Sequence, residues 1–144
     1  GEEFTVFELP TRLGTLRFGA PICFEDAFPE VCAEFFAGGA ELLVNLTNDA
    51  WSKTVSAEIQ HYAAARFRSI EFRKPMIRST NGGLSCVVDA RGRLVEALPL
   101  FTTTARIVEV PLERAAGPTL YERFGDWFPR LALLLCAAWA IILV

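Results

Sequence analysis

Several features that mark familiar classes of protein are scarce in this 144-residue sequence. It has one histidine, His61, and four cysteines with no CxxC pair among them, so a structural zinc site is not indicated. The net charge of −3 lacks the basic excess that a nucleic-acid partner favours. No internal repeat, low-complexity segment or signal-peptide pattern is evident. We therefore expect no metal, no other cofactor and no nucleic-acid partner.

Charge is also missing from the last stretch of the chain, Leu131 to Val144. A bilayer span needs roughly 20 apolar residues, and the sequence stops inside this run. A buried core helix is the alternative, but the run is apolar all round and follows an aromatic and basic segment that includes Trp127, Phe128 and Arg130. The pattern predicts a truncated transmembrane helix at 131–144. Since the sequence also begins without Met, we expect it to be part of a longer chain.

Two helices are predicted before this tail. One follows Phe28, with Pro29 in its first turn and Gly38 and Gly39 as its stop. The other spans Ser56 to Arg73, with Ser56 as its cap, and Pro75 forbids its continuation.

Alternating or continuous apolar runs predict the strands of a sheet. The predicted strands are Thr5–Leu9, Leu16–Cys23, 40–48, Met76–Ser79, Leu84–Asp89, Leu94–Leu98 and Arg106–Val110. Strands that alternate with helices and then form hairpins indicate an α/β fold, with a mixed sheet layered with helices. We divide the chain into a domain at 1–116, an interfacial linker at 117–130 and the apolar helix at 131–144.

Cys23 lies where a predicted strand meets the start of a helix, in "APICFEDAFPE". Ligand sites form at that edge of open α/β sheets, and a nearby helix N-terminus favours the thiolate. The backbone N–H of Phe24 could contribute to an oxyanion site. The motif alone leaves a buried cysteine the commoner outcome, since Cys is often a core residue. Cys32, Cys86 and Cys136 have apolar neighbours and are interpreted as packed thiols.

A base for Cys23 is not evident from the sequence. Nothing places His61 near the sulfur, so it is interpreted as a packed or hydrogen-bonded helix residue. Glu25 and Asp26 would raise the pKa of a neighbouring thiol if charged.

Two further predicted strands end in polar segments, "NLTNDAW" and "RSTNGG". They contribute Asn48 and Trp51, and Arg78 and Asn81, as candidate substrate-binding residues. Plain turns are the alternative for both segments, with Trp51 as a hydrophobic lid and the polar groups of Arg78 and Asn81 ordering the loop. Three such ends on one sheet favour a pocket.

Taken together, "ICFED", "NLTNDAW", "QHYAAARFRSIEFRKPMIRSTNGGLSCVVDARG" and "TLYERFGDW" before an apolar segment resemble the C-terminal part of the apolipoprotein N-acyltransferase family. The resemblance implies a partial nitrilase-like domain followed by a membrane helix. It also implies transfer of a fatty acyl group from a phospholipid to the N-terminal diacylglyceryl cysteine of a lipoprotein, through a cysteine thioester.

On this resemblance the nucleophile falls on Cys23 and a required acidic residue on Glu25, which would have a positioning or acid–base role in the pocket. The family's glutamate base and oxyanion lysine precede the cysteine strand and match no residue here, so we expect the chain alone to be inactive. Two positions depart from the family pattern. Phe24 replaces a tyrosine, and Ser52 replaces an aromatic residue that would line the acyl side of the pocket.

The resemblance implies a monomeric enzyme of the bacterial inner membrane, with its catalytic domain on the periplasmic side. Its partners would be a phospholipid acyl donor and a diacylglyceryl-lipoprotein acceptor. A soluble carbon–nitrogen hydrolase of the nitrilase superfamily is the main alternative, but it would need no apolar tail. A membrane-tethered binding module with a structural Cys23 is the other. In the oxidising periplasm we expect Cys23 to be free, with no disulfide to Cys32.

Overall fold

The computed structural model describes residues 3–12, 14–113 and 117–142. Six strands form one mixed sheet in the order β1 to β6, so every strand pairs with its neighbours in sequence. The strands are β1 (Val6–Thr11), β2 (Gly14–Gly19), β3 (Leu42–Asn48), β4 (Met76–Asn81), β5 (Cys86–Val88) and β6 (Leu94–Ala97). The central strands β2, β3 and β4 are parallel, while the β1–β2, β4–β5 and β5–β6 pairs are antiparallel. The predicted mixed α/β fold is confirmed.

The helices are α1 (Pro29–Ala37), α2 (Val55–Phe72), α3 (Leu120–Phe124) and α4 (Trp127–Ile142). Pro29 stands at the start of α1, as its fixed φ and missing N–H allow. The cap of α2 is Thr54 rather than the predicted Ser56, because the Thr54 hydroxyl accepts a hydrogen bond from the Ala57 N–H at 3.4 Å. The helix ends at Arg73 in the left-handed conformation, ahead of Pro75.

Two strand predictions were wrong. The second strand ends at Gly19 instead of continuing to Cys23, because Pro21 lacks a ladder N–H and only Ile22 keeps a single bridge to Leu46. The segment predicted as a strand at Arg106–Val110 has no ladder partner among the described residues. An alternating apolar pattern does not form a strand unless a neighbouring strand is available to pair with it.

The core lies on one face of the sheet, beneath α1 and α2. Gly19 and Leu43 are neighbours in register, and a Cβ on Gly19 would lie 2.6 Å from the ring of Phe35 in α1. The rings of Phe36 and Phe72 pack with centroids 4.9 Å apart. This contact joins the two helices over the sheet.

The opposite face of the sheet is not covered by any helix of the described residues. Side chains alternate along a strand, so Leu46 and Ser79 face away from the neighbouring Asn45 and Arg78. Leu46 is half exposed, whereas Asn45 is fully buried. The same sheet therefore has one closed face and one open face.

Beyond Arg130, the C-terminal helix α4 is apolar on every side. Its large side chains, among them Leu133, Trp139 and Ile142, are mostly exposed. In the part of the chain that the structure describes, no helix combines the length and the apolar character needed to cross a bilayer. The transmembrane assignment of 131–144 stays a prediction, and its last two residues lie outside the described part.

Candidate active site

The three parallel strands bring their carboxyl ends to one edge of the sheet. The chain leaves β2 into a 3-10 turn at Cys23–Ala27, leaves β3 into the loop around Trp51, and leaves β4 after Asn81. This is the edge at which open α/β sheets form ligand sites. The predicted convergence of three polar strand ends is found in the structure.

Cys23 opens the 3-10 turn with a φ of 53°, a left-handed conformation that few residues other than glycine adopt. Such strain persists only where the surrounding structure holds it, and it concentrates at functional sites. A nucleophile on a tight strand-to-helix turn is raised above the sheet in the same manner in other enzymes. The side chain is half-buried, and all four cysteines of the chain are free thiols. No disulfide joins Cys23 to Cys32.

Hydrogen bonds from two side chains fix the turn. The Asn45 amide donates to the carbonyl oxygen of Cys23 at 2.8 Å and to that of Pro21 at 3.1 Å. The Glu25 carboxylate accepts a hydrogen bond from the backbone N–H of Ile22 at 2.7 Å. Glu25 is exposed, and its carboxylate turns back to the Ile22 N–H at the entry of the turn.

The aromatic side chains at this edge are exposed. Trp51 is 75% exposed on its loop, and Phe24 and Phe28 are about half exposed, with ring centroids 6.1 Å apart. Phe24 also stacks on the imidazole of His61 with a centroid separation of 4.5 Å. These rings give the edge an apolar rim.

A groove of about 920 Å³ runs from Cys23 across the open face of the sheet. Asn48 and Asn81 both line it, and the Asn81 amide donates to Asn48 Oδ1 at 3.0 Å. Leu46 and Phe101 add apolar surface to its wall. The groove therefore joins a thiol to a mixed polar and apolar surface, as a substrate with an apolar chain would need.

Arg78 differs from the other predicted substrate-binding residues because its side chain is fully buried. Its Nε lies 3.0 Å from Asp26 Oδ2, at an angle too bent for a hydrogen bond, and its Nη2 lies 3.8 Å from Asp49 Oδ2. The guanidinium thus faces two carboxylates of the protein. The alternative that Arg78 orders the loops is favoured, and direct substrate binding by Arg78 stays a prediction.

His61 occupies the space between the same two carboxylates. Its Nε2 lies 2.9 Å from Asp26 Oδ1, and its Nδ1 lies 3.0 Å from both oxygens of Asp49. Burial lowers the pKa of His61, but the hydrogen bond with Asp26 and the charges of both aspartates outweigh burial and the Arg78 charge, so the pKa is raised. The interpretation of His61 as a hydrogen-bonded helix residue is confirmed.

Sequence reasoning missed Asp26 and Asp49 as members of this buried group. The available signal was that Asp49 directly follows the polar end of β3, that Asp26 lies three residues after Cys23, and that the one histidine of the chain lies on a helix. Among the described residues, no group of His, Cys, Asp and Glu is arranged to hold a metal ion. Both nitrogens of His61 already face carboxylate oxygens, so the cluster is an ion-pair network.

Ser52 makes a contact that the departure from the family pattern did not suggest. Its hydroxyl donates to a carboxylate oxygen of Glu58, a residue that is 1% exposed in the first turn of α2. The other oxygen of Glu58 has no partner among the described residues. Ser52 therefore ties the Trp51 loop to the start of α2.

The other cysteines of the domain have a different environment from Cys23. Burial raises the pKa of the Cys32 thiol to about 12 and that of the Cys86 thiol to about 11. Both side chains belong to the hydrophobic core. Neither is suited to act as a nucleophile, because the thiolate is the reactive form.

Comparisons with known proteins agree with this geometry. Residues 1–117 match the family model described as carbon–nitrogen hydrolase. A protein of Treponema denticola named apolipoprotein N-acyltransferase 2 is 46% identical over 136 residues, which are 94% of this chain and 26% of that relative. The apolipoprotein N-acyltransferase of Thermotoga maritima is 37% identical over 135 residues, 94% of this chain and 26% of that relative. The chain spans about a quarter of the length of these relatives.

Solved structures show the same fold. An amidase from Nesterenkonia sp. superposes with a TM-score of 0.57 at 18% identity, over 69% of this chain and 38% of that one. A branch 10 member of the nitrilase superfamily from Saccharomyces cerevisiae gives a TM-score of 0.53 at 25% identity, over 68% of this chain and 37% of that one. The resemblance stated from the sequence is confirmed.

Proposed function

The chain belongs to the carbon–nitrogen hydrolase family, and from that premise we propose that it is part of an apolipoprotein N-acyltransferase. The observation that carries the proposal is the strained turn of Cys23, a half-exposed thiol at the shared carboxyl edge of three parallel strands. The 46% identity to a protein of that name supports the same activity.

The proposed reaction has two steps. The Cys23 thiolate attacks the ester carbonyl of a phospholipid acyl chain, an S–C bond forms, and the ester C–O bond breaks to release a lysophospholipid whose oxygen takes a proton. The amino group of a diacylglyceryl cysteine then attacks the thioester, forms an amide and loses a proton, while the thiolate leaves. A covalent intermediate replaces one difficult transfer by two easier ones.

The residues of this chain divide the work. The backbone N–H of Phe24 contributes to the oxyanion site, and Glu25 positions the turn by holding the Ile22 N–H. Asn48, Asn81 and Trp51 contact the substrate along the groove and its rim. The glutamate base and the lysine that the family resemblance implies match no residue here. We therefore expect these 144 residues to be inactive alone.

The apolar helix fits the same proposal. We infer that 131–144 begins a membrane helix, and that Trp127, Phe128 and Arg130 lie at the bilayer surface, where aromatic and basic residues are enriched. The domain would then stand on the periplasmic side of the bacterial inner membrane as a monomer. Phospholipid donors and lipoprotein acceptors would both reach it there.

Mass spectrometry of the full-length enzyme incubated with phospholipid tests the proposal. We expect an acyl adduct on Cys23 that disappears in Cys23→Ser and is transferred when a diacylglyceryl peptide is added. Cys32→Ser is the matched control and should acylate normally. An active enzyme whose lipid adduct lies on another residue would contradict the proposal.

Amide hydrolysis is the second candidate function, and the fold shared with an amidase favours it. An amidase would release a carboxylic acid from short amides and would need no lipid. The two functions separate in one assay, because only the acyltransferase forms a long-chain thioester that an amine removes. Steady hydrolysis of short amides without a lipid adduct would establish the second function.

A further inference from the structure

Four charged side chains form a buried cluster that the proposed reaction does not use. Asp26, Asp49, His61 and Arg78 are each at most 5% exposed. They come from four different segments: the 3-10 turn, the loop after β3, helix α2 and strand β4. Burying charges is costly unless they are paired, so a buried cluster of this kind is expected to have a structural or functional role.

The hydrogen-bond geometry determines the protonation of His61. Neutral imidazole carries one N–H, so one of its two nitrogens presents a lone pair. Here Nε2 faces Asp26 at 2.9 Å and Nδ1 faces Asp49 at 3.0 Å. A lone pair against either carboxylate would be repulsive. Opposite two ionised carboxylates, both contacts are favourable only when both nitrogens carry protons.

The charges of the cluster also favour a doubly protonated His61. Asp26 and Asp49 contribute two negative charges, and Arg78 supplies one positive charge opposite both of them. A protonated His61 makes the group neutral, whereas a neutral His61 leaves one buried negative charge uncompensated. Among the described residues, these are the three charged groups that act on the pKa of His61. The ring of Phe24 covers one face of the imidazole.

The cluster is joined directly to the turn of Cys23. Asp26 belongs to that turn, and its contact with His61 ties the turn to α2. Asn45, which donates to the Cys23 carbonyl, is the register partner of Arg78 on β4. The left-handed φ of Cys23 needs support of this kind from its surroundings.

We propose that His61 is a positioning residue which, as an imidazolium cation linking Asp26 to Asp49, holds the turn that presents Cys23. It is not the base of the reaction. For its kinetic readout the proposal rests on the function proposed above, but its structural readout does not.

A charge-balanced pair of variants tests the proposal in the full-length protein. His61→Gln leaves two buried carboxylates opposite one guanidinium, and its amide oxygen faces one of them. Combining it with Asp49→Asn restores neutrality: the amide of the introduced glutamine can donate to Asp26, and its oxygen can accept from the introduced asparagine. Gln60→Ala is the matched control, since Gln60 is exposed on the same helix and bonds only weakly, to Ser56 at 3.4 Å.

Hydrogen exchange of the peptide around Cys23 is the first measurement. We expect faster exchange in His61→Gln, recovery in the double variant, and no change in Gln60→Ala. The rate of thioester formation should fall by about 10- to 100-fold in His61→Gln with little change in KM, and should recover by at least about fivefold in the double variant.

Two outcomes would overturn the proposal. One is normal exchange around Cys23 in His61→Gln, and the other is a double variant that is no better than the single one, as expected if His61 only fills space. Absence of an acyl adduct in the wild type, with the exchange pattern still present, would refute the proposed function and leave the role of His61 standing.

Discussion

Cys23 and Cys32 lie in neighbouring segments of one domain, yet their surroundings have little in common. Cys23 stands at a polar edge, in a strained turn beside buried charges and an open groove. Cys32 belongs to α1 and is fully buried in the apolar core, where burial raises its pKa to about 12. The same residue type thus lies once at a half-exposed, strained edge and once in a packed core. The difference comes from backbone conformation and burial, which local composition does not reveal.

Replacing each cysteine by serine gives the largest expected contrast. Cys23→Ser should lower acyl transfer by at least about 10³-fold, because the proposed nucleophile is lost. Cys32→Ser should change the activity of the folded enzyme by less than about threefold, with some loss of stability from a buried hydroxyl. Steady-state transfer rates with a fluorescent phospholipid measure both. Equal losses of activity in the two variants would contradict a special catalytic role for Cys23.

Thiol alkylation sharpens the same contrast without relying on catalysis. At pH 8 we expect iodoacetamide to modify Cys23 at least about 100 times faster than Cys32, since a thiol with a pKa near 12 has almost no thiolate at that pH and is also inaccessible. Peptide mapping by mass spectrometry gives both rates in one sample. Cys86, with a pKa of about 11, is a second protected reference. Faster labelling of Cys32 than Cys23 would refute the assignment.

The apolar region around Cys32 was easier to predict from sequence than the polar edge around Cys23. Helix α1 and strand β3 follow from periodicity, from Pro29 and from the continuous apolar run of β3, because local patterns and burial agree there. The placement of Cys32 among core residues followed from its neighbours. Such regions need no information about distant residues beyond the existence of a core.

The polar edge around Cys23 could be predicted only in part. The strand ends that meet near Cys23 were foreseen, but not that Asp26 and Asp49 would enclose His61. These three residues are distant in sequence, and polar residues after strands are ordinary in turns. A left-handed Cys23 also depends on contacts such as the one from Asn45, which no local pattern encodes.

A methyl group at Gly83 tests how tightly the polar edge is packed. A Cβ there would lie 2.6 Å from Asp49 Oδ2 and 2.8 Å from Glu58 Oε2, so Gly83→Ala should destabilise the domain by about 1–3 kcal/mol. Gly117→Ala is the control, because nothing lies within 4 Å of its Cβ position. Thermal unfolding of the two variants gives the difference. A stability of Gly83→Ala equal to that of Gly117→Ala would show that the edge is loosely packed.

The pH dependence of stability separates the polar edge from the core. The pKa of His61 is raised in the folded state, so its contribution is fully present below its unfolded pKa of about 6.5 and is lost as the pH rises through the folded value. The melting temperature of the wild type should therefore fall on that alkaline side more than that of His61→Gln combined with Asp49→Asn. Parallel curves for the two proteins would contradict an imidazolium at this position.

Asp89 provides the smallest effect, in a turn outside both cysteine regions. Burial raises its pKa, but hydrogen bonds from the N–H groups of Arg93 and Arg91 and from the Arg93 side chain outweigh this, so the pKa is lowered. Its stabilisation is therefore present above the unfolded pKa and is lost as the pH falls through the folded value. Asp89→Asn should lower Tm by about 2–4 °C at pH 7.

That difference should shrink as the pH falls through the lowered pKa of folded Asp89, because the protonated wild-type carboxyl resembles the amide. Alkylation of Cys23 should be unchanged in Asp89→Asn at pH 8, because the turn of Asp89 follows β5 and does not belong to the edge that carries Cys23. A loss of Cys23 reactivity in this variant would show that the polar edge depends on the stability of the whole sheet. Unchanged reactivity would show that Cys23 is independent of the Asp89 turn, as expected if its own turn and the contacts of Asn45 and Asp26 hold it.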